Sequence, residues 1–296
     1  MRPFEYVAPD RLDEALERLA RSGDETILLG GGTATVLLMK QDLIAPDVVI
    51  DLGRIPELEG IDTRPDRGLR LGATCRLVDL EDSAAVREAY PVVARTAHRV
   101  GNVRVRSVAT VGGNLVHADP AQDLPPVLMA LGATVTLASR RGTRRLPLDA
   151  FYVGFMETAI ERDEVLTAVE LPPPPPGFRA TYIKFTPRSQ DDFGTVNVAC
   201  ALVWEDGVCR SAALVLGGAG ATPLRIRSAE ACLSGHPLTD ARIAEAASFA
   251  AAEIEPWDDL RGSAVYKRAM ARVWTARALT ALRHGALGDG APSWLE

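Results

Sequence analysis

The sequence predicts a mixed α+β protein: two lobes that combine helices with short buried strands, then a domain that pairs an antiparallel sheet with helices. Three observations lead to this fold class. Apolar runs and helical patterns continue to about residue 171, five prolines follow at 172–176, and strand-like segments flank Asp206-Gly207 before an Ala-rich helical tail. The predicted domains are 1–172, with lobes at about 1–55 and 60–171, and 177–285.

The first lobe begins with a helix and a strand. Leu12, Leu16 and Leu19 recur at helical spacing, and the apolar run Thr26–Leu29 ends in glycines. We expect a second helix just past those glycines and a further buried strand over 47–52. This part of the chain is therefore predicted to form a small α/β unit.

The second lobe is predicted to be another α/β unit, in which short strands alternate with helical stretches, and it ends at the prolines. Its strands are predicted over 69–73, 134–138 and 165–171. A helix is predicted over 123–131, because Pro125 and Pro126 suit its first turn and Gly132 suits the position after its end. The run Pro172–Pro176 favours an extended polyproline segment of about 15 Å and cannot donate to a β-ladder, so it marks the domain boundary.

The C-terminal domain is predicted to contain an antiparallel sheet followed by helices. Its strands are expected over 180–185, 195–204 and 208–216. Asp206-Gly207, between the last two, is a strong signal for a two-residue hairpin turn, so these strands should run antiparallel. Helical composition returns in the Ala-rich segment 240–253 and in a longer stretch from about 263 to 284.

Charge and hydropathy exclude several functional classes. Lys and Arg total 33 against 39 Asp and Glu, and the net charge of −6 has the wrong sign for binding nucleic acid through bulk charge. The N-terminus has no apolar signal-peptide core, and no stretch of about 18 uncharged apolar residues occurs. We therefore expect no membrane span and a cytoplasmic protein.

Cysteine spacing and motif searches exclude further classes. The four cysteines include no C-x-x-C pair and no histidine at metal-ligand spacing, so we expect neither zinc nor an iron–sulfur cluster in this chain. The motifs G-x-S-x-G, H-E-x-x-H and G-x-x-x-x-G-K-[ST] are missing, which removes the commonest hydrolase, metalloprotease and P-loop interpretations. We expect no catalytic or metal-binding residue, and any chemistry must come from a bound cofactor.

The first candidate binding motif is Gly30-Gly31-Gly32-Thr33, which follows an apolar strand and precedes a helical stretch from Ala34. Free backbone N–H groups at such a turn can cradle a pyrophosphate, because glycine permits close approach and a helix N-terminus favours an anion. From this loop alone, a tight turn that needs positive φ is an equally good interpretation. A Rossmann site is disfavoured, because its third glycine would stand at Thr35, and Asp51 is then a strand-end residue rather than a ribose partner.

The second candidate motif is Thr110-Val111-Gly112-Gly113-Asn114, followed further along by Asp123. Two glycines with flanking Thr and Asn side chains predict another compact set of donors for a phosphate, and Asp123 is placed to accept hydrogen bonds from a polyol. In this interpretation Gly113 has positive φ and lies against the pyrophosphate. Gly113→Val should therefore remove the cofactor.

The two motifs, together with Ala118-Asp119-Pro120 and Asp123-Leu124-Pro125, resemble the FAD-binding subunits of the xanthine dehydrogenase family, above all the medium subunits of molybdenum-type carbon monoxide dehydrogenases. The segment from Tyr182-Ile183-Lys184-Phe185 through Asp192-Phe193 is similar to the start of that family's C-terminal flavoprotein domain. The resemblance implies a two-lobed, PCMH-type FAD-binding domain, with FAD in the cleft before an α+β flavoprotein domain. The cofactor-binding residues that it implies are Gly30, Gly31, Gly32, Thr33, Ala34, Thr110, Gly112, Gly113, Asn114, Asp123 and Phe193.

The same resemblance implies an FAD-dependent oxidoreductase subunit of a molybdenum hydroxylase. Electrons would leave a molybdopterin site on a large subunit, pass through iron–sulfur clusters on a small subunit, and reach this FAD. The flavin would then reduce NAD, a quinone or oxygen. Two alternatives remain: a stand-alone FAD oxidoreductase with its own substrate pocket, and a non-catalytic scaffold of the same fold.

The first motif departs from the family in one position. Relatives often carry a side-chain hydroxyl where this chain has Ala34, and here the hydroxyl belongs to the next residue, Thr35.

Several charged side chains outside the motifs receive structural interpretations. Arg104 and Arg106 either neutralise phosphate or face solvent, and solvent is favoured. The histidines have no carboxylate or nucleophile at a suggestive spacing; they are His98, His117, His236 and His284. A basic run near the C-terminus is interpreted as a solvated helix face, with contact to a partner subunit as the alternative. It comprises Arg261, Lys267, Arg268, Arg272, Arg277 and Arg283.

Overall fold

Parallel strands form the sheet of the first lobe. The computed structural model describes residues 1–21, 23, 25–64 and 66–285. The elements of this lobe are β1 (Glu5–Val7), α1 (Leu12–Arg21), β2 (Thr26–Leu29), α2 (Thr35–Lys40) and β3 (Val48–Asp51). The strand order is β1-β3-β2, and each neighbouring pair is parallel. Leu16 and Leu19 of α1 pack with Ile50 of β3, so the predicted leucine face and its sheet are confirmed.

An antiparallel sheet and a group of helices form the second lobe. Its elements are β4 (Ile61–Arg64), β5 (Gly68–Gly72), α3 (Leu77–Asp82), α4 (Ala84–Ala89), α5 (Pro91–His98), α6 (Val103–Arg106), α7 (Val111–His117), α8 (Leu124–Ala130), β6 (Thr134–Ser139), β7 (Gly142–Pro147), β8 (Tyr152–Gly154), β9 (Glu157–Thr158) and β10 (Val165–Leu171). The order β4-β5-β10-β6-β7 is antiparallel throughout. Helices α3 to α8 all lie between β5 and β6 in the chain, so the predicted alternation of strands and helices in this lobe is wrong.

The predicted helix over 123–131 and the proline run have clear local causes. Pro125 and Pro126 lie in the first turn of α8, and Gly132 beyond its end has a φ of +73°. The proline run begins against the second lobe, where the Tyr90 hydroxyl donates a hydrogen bond to the Pro172 carbonyl. The chain therefore leaves β10 along a fixed path.

The C-terminal region contains the predicted antiparallel sheet and helices. Its elements are β11 (Phe178–Phe185), β12 (Val196–Glu205), β13 (Val208–Gly217), β14 (Leu224–Arg225), α9 (Arg227–Leu233), β15 (His236–Pro237), α10 (Asp240–Glu253) and α11 (Ala264–Arg283). Asp206 and Gly207 form the hairpin turn with φ of 50° and 78°. The order is β11-β12-β13-β14, with β15 beside β13. Helix α9 was not predicted.

The C-terminal sheet packs on both faces. Ala199 and Ala201 of β12 join the core of the second lobe. The alternate residues Val198 and Cys200 join a separate core under α9, α10 and α11. This period-two alternation attaches the sheet to the first domain and confirms the α+β fold class. Across the described part of the chain, no helix combines the length and the apolar character needed to cross a membrane.

Candidate cofactor site

The first glycine motif presents backbone donors that the protein itself does not use. It joins β2 to α2, and Gly32 has a φ of +71°, which explains a glycine at that position. Among the described residues, none accepts a hydrogen bond from the amides of Gly31, Gly32 or Thr33. Ala34 stands at the N-cap of α2 and offers no capping side chain. These half-buried amides form an open donor set that suits an anion.

The structure brings the two glycine motifs together. A β-carbon built on Gly31 lies 1.9 Å from the carbonyl oxygen of Val108, and one built on Gly30 lies 2.6 Å from Thr110 Oγ1. No real β-carbon fits at the first of these distances. The glycines of the first motif therefore allow its backbone to touch the segment that leads into the second.

The second motif is the beginning of helix α7, and its amides are already bonded. Val111 N donates to Cys75 O at 2.9 Å, Gly112 N to Ala73 O at 2.8 Å, and Gly113 N to Thr110 Oγ1 at 3.1 Å. The backbone part of the predicted donor set is therefore wrong, whereas contacts from the Thr110 and Asn114 side chains to a cofactor stay predictions. The physical reason is that Thr110 caps the helix while the first turn of the helix docks on the residues that follow β5.

Gly112 and Gly113 permit two different close approaches. A β-carbon on Gly112 would lie 2.8 Å from the Ala73 side chain, so this glycine packs α7 against the strand end. Gly113 is exposed, and a β-carbon there would meet only Thr110 Oγ1, at 2.9 Å. Gly113 lies within the helix and does not have positive φ, so that part of the prediction is wrong.

Asn114 supplies the clearest sign that a polar group is expected here. Its Oδ1 atom is buried and has no hydrogen-bond partner among the described residues. Buried polar atoms are normally paired, so an unpaired one calls for a ligand or water. The bare surface of Gly113, the Asn114 oxygen and the open amides of the first motif fit a cofactor that carries both phosphates and hydroxyls.

Asp123 connects the first domain to the C-terminal sheet. Its carboxylate accepts hydrogen bonds from Tyr182 Oη at 2.5 Å and from Lys184 Nζ at 3.1 Å, and Lys184 also donates to the carbonyl oxygen of Arg99 at 2.8 Å. Burial raises the pKa of the Asp123 carboxyl, while the Lys184 ammonium and the Tyr182 hydroxyl oppose that rise. The role of Asp123 toward a polyol stays a prediction, and the bonds that the structure shows hold the two domains together.

Sequence reasoning did not assign roles to Tyr182 and Lys184. The signal was present, because both point to one face of a strand whose other residues are mostly apolar. The same face carries further contacts, since Asn197 Nδ2 on β12 donates to the carbonyl of Ala121 at 3.0 Å. Gln122 beside it has a buried Oε1 with no partner within the described residues. The segment before α8 is thus held from the C-terminal side.

Phe193 lies with the C-terminal domain. Its ring is 39 % exposed, and the Arg261 guanidinium stacks over it at 5.3 Å from the ring centroid. The contact of the Phe193 ring that the structure shows is therefore with Arg261. The approach of this ring to a flavin stays a prediction. Thr33 and Ala34 sit in the first motif as expected, but their cofactor contacts are likewise predictions.

One of the two arginines that the sequence assigned to solvent is buried instead. Arg106 is 8 % exposed and donates to Glu81 Oε2 at 2.7 Å, whereas Arg104 is exposed as expected. The Nδ1 atom of His98 also forms a hydrogen bond with Glu81 Oε1, at 2.7 Å. Burial acts to raise the pKa of Glu81, but the hydrogen bonds from His98 and Arg106 outweigh it and lower that pKa. The prediction for Arg106 was wrong because a distant carboxylate pairs with it.

Lys267 corrects the interpretation of the basic run in the same way. It is 3 % exposed, and its ammonium donates to Asp259 Oδ2 at 2.7 Å and to the Trp257 carbonyl.

A groove of about 480 Å³ lies elsewhere, between α5 and the proline run. None of the residues that line it belongs to a glycine motif, so the groove is separate from the candidate cofactor site.

Comparisons with known proteins match both halves of the chain. A family described as the FAD binding domain in molybdopterin dehydrogenase matches residues 2–174. A second family, described as the CO dehydrogenase flavoprotein C-terminal domain, matches residues 181–282. The expected resemblance is therefore confirmed.

Individual relatives match over nearly their full length. Subunit alpha of the 6-hydroxypseudooxynicotine dehydrogenase complex of Paenarthrobacter nicotinovorans is 32% identical, covering 96% of this chain and 95% of its own. The carbon monoxide dehydrogenase medium chain of Hydrogenophaga pseudoflava is 33% identical, covering 94% and 96%. A solved structure of carbon monoxide dehydrogenase from the same organism superposes with a TM-score of 0.92 at 34% identity, covering 95% of this chain and 98% of that one.

Proposed function

This chain belongs to the family of FAD-binding subunits of molybdopterin dehydrogenases, and from that premise we propose that it passes electrons from iron–sulfur clusters of a partner subunit through FAD to NAD, a quinone or oxygen. The relatives are named as a medium chain and as one subunit of a complex. We extend that arrangement to this chain, with a molybdopterin-containing large subunit and an iron–sulfur small subunit as partners.

The observation that carries the proposal is the set of amides at Gly31, Gly32 and Thr33, which have no acceptor among the described residues. The neighbouring Gly30 lies against Thr110, the cap of α7, and the Asn114 oxygen on that helix is buried and also has no partner within the described part of the chain. The amides suit the pyrophosphate of FAD, because they are unused donors at the start of a helix. The Asn114 oxygen suits a hydroxyl or amino group of the cofactor. When bound, FAD supplies the exchange of one or two electrons that no side chain provides.

The chain's own residues position and shield the cofactor in this proposal. Gly113 lets α7 lie close to it, because no side chain intervenes there. Asp123, Tyr182 and Lys184 fix the C-terminal sheet against the first domain through buried hydrogen bonds. We assign Phe193 to the flavin end of the cleft between the domains.

The experiment compares the purified chain with the chain assembled with its partner subunits, under anaerobic conditions. Carbon monoxide and 6-hydroxypseudooxynicotine are added first, because relatives are named for them. We expect dithionite or reduced nicotinamide to bleach the flavin absorbance of the lone chain. We expect an organic or gaseous substrate to bleach it only in the complex.

Other outcomes identify the alternatives. Bleaching of the lone chain by substrate would contradict the subunit role and favour a stand-alone FAD oxidoreductase. A colourless chain that takes up no FAD would contradict cofactor binding and favour a scaffold. Release of FMN rather than FAD on denaturation would contradict the assignment of the amides to a pyrophosphate.

A further inference from the structure

An exposed apolar patch surrounds the start of α11. We call it the Leu260 patch and define it by Phe155, Trp257, Leu260, Val265 and Tyr266. Leu260 is 91 % exposed, Val265 79 % and Phe155 58 %. The rings of Phe155 and Trp257 pack edge to face with centroids 5.6 Å apart. Large apolar residues grouped in this way on a surface mark an interaction site more often than isolated ones do.

The turn that presents Leu260 is held firmly. Asp259 N donates to Gly262 O at 3.1 Å, and Gly262 N donates back to Asp259 O at 3.2 Å. The buried Lys267 ammonium ties the turn to α11 through Asp259 Oδ2 at 2.7 Å and through the carbonyl of Trp257 at 3.1 Å. A fully exposed leucine on such a fixed turn loses little conformational entropy when a partner covers it.

The charges beside the patch indicate the chemistry of what covers it. Arg268 and Arg272 follow Val265 by three and seven positions, so they share its face of α11. Both are exposed, and neither forms an ion pair with any described residue. A complementary surface therefore carries apolar residues bordered by carboxylates. A second copy of this chain fits poorly, because a two-fold axis through α11 would bring equal charges together.

The patch is continuous with Phe193. Arg261 belongs to the same turn as Leu260, and its guanidinium lies over the Phe193 ring. In the proposed function, Phe193 stands at the flavin end of the cleft. A partner seated on the Leu260 patch would thus lie next to the flavin end, where an electron donor has to be.

We propose that the Leu260 patch is the docking surface for the iron–sulfur subunit. This inference rests on the proposed function, since it takes the electron donor from it. The patch supplies an apolar centre, and Arg268 and Arg272 supply the charges that a carboxylate-bearing rim meets.

The first test measures the dissociation constant between the FAD-loaded chain and the purified iron–sulfur subunit by analytical ultracentrifugation. Leu260→Asp should raise it by about 30-fold, as expected for loss of a central apolar anchor. The matched control is Leu43→Asp, a change at an equally apolar residue that is 66 % exposed in the first lobe. The control should leave the constant unchanged, and both variants should keep the FAD content of the wild type.

Charge reversal and crosslinking complete the test. Arg268→Glu with Arg272→Glu should weaken binding and reduce its dependence on salt. A photo-crosslinking residue introduced at Leu260 in the full complex should attach to the iron–sulfur subunit. Attachment to the molybdopterin subunit or to a second copy of this chain would overturn the inference, as would unchanged binding by Leu260→Asp.

The failures of the two proposals are distinguishable. If the wild-type chain binds FAD and assembles, but Leu260→Asp also assembles with wild-type affinity, only the docking inference fails. If the wild-type chain neither takes up FAD nor binds the iron–sulfur subunit, the proposed function fails and the docking inference fails with it.

Discussion

In the first glycine motif the amides of Gly31, Gly32 and Thr33 have no acceptor among the described residues, whereas in the second the amides of Val111, Gly112 and Gly113 are bonded to the protein. Both motifs contain consecutive glycines and a threonine, and both lie where a helix begins. The difference lies in what surrounds them. Glycine content alone therefore does not distinguish a donor cradle from a packing contact.

The surroundings explain the difference. The Thr110 side chain caps α7 at the Gly113 amide, and Cys75 and Ala73, just after β5, supply carbonyls to the amides of Val111 and Gly112. At the first motif, Ala34 cannot cap α2, and Gly31 touches the chain through its Cα instead of its amide. We therefore propose that the first motif binds the anion and that the second lets α7 approach both the strand end and the cofactor.

The largest expected effect concerns the region downstream of the second motif. Asp123→Ala should lower the free energy of unfolding by about 3–5 kcal/mol, because it leaves the Lys184 ammonium buried without its carboxylate. Urea denaturation of the apoprotein measures it. Adding Lys184→Met should recover part of the loss, since the uncompensated charge is then removed. Lost FAD binding with an unchanged unfolding free energy would show that Asp123 serves the cofactor instead.

A substitution in the first motif should have the next largest effect. Gly31→Ala should weaken FAD binding by at least about 100-fold, since its β-carbon would lie 1.9 Å from Val108 O and the loop must move. Titration of apoprotein with FAD, followed by quenching of flavin fluorescence, gives the constant. Gly220→Ala is the matched control, because its β-carbon would approach nothing closer than 3.8 Å. If Gly31→Ala and Gly220→Ala bound FAD with equal affinity, the first motif could no longer be distinguished from the second as the anion-binding motif.

The matching substitution in the second motif should act more weakly. Gly113→Ala should weaken FAD binding by about tenfold, because a methyl group then stands on the bare helix surface. Helix propensity should leave the apoprotein at least as stable, since alanine is favoured over glycine by about 1 kcal/mol within a helix. The same titration and a thermal melt provide both quantities. Wild-type FAD affinity in this variant would mean that α7 does not approach the cofactor.

The smallest expected change in FAD affinity concerns the Asn114 side chain, which follows Gly113. Asn114→Leu should stabilise the apoprotein by about 1–3 kcal/mol, because it removes a buried acceptor that has no partner among the described residues. The same change should weaken FAD binding by about fivefold, since the cofactor loses a polar contact. Opposite signs for stability and affinity are the expected result of melting and titration. A destabilised apoprotein would indicate that water or another group already satisfies the oxygen.

Local sequence signals predicted many of the elements well. The strands Thr26–Leu29 and Val165–Leu171 and the helix Asp240–Glu253 have the predicted bounds. Each depends on short-range patterns: apolar runs, glycine or proline at the ends, or alanine content. The order of the strands in the second lobe was not predictable in this way, because β10 pairs with β5 across about a hundred residues.

Pairings between distant charges were equally hidden from the sequence. The structure contains ion pairs between Arg106 and Glu81, between Lys184 and Asp123, and between Lys267 and Asp259. Composition assigns such residues to solvent, because charged side chains are rarely buried unless they are paired. The two glycine motifs were visible in the sequence. Whether their amides are hydrogen-bonded within the protein depends on the residues that pack against them and on the residue that caps the helix, and these are set by the fold.

Hydrogen exchange of the backbone amides, measured by mass spectrometry on the apoprotein with and without FAD, tests the distinction between the motifs most directly. Residues 31–33 should exchange quickly without FAD and gain strong protection when it binds, since only then do their amides have acceptors. Residues 111–114 should be protected in both states, because their bonds are already made. Protection gained mainly at 111–114, with 31–33 unchanged, would contradict the assignment of the first motif as the site that binds the pyrophosphate.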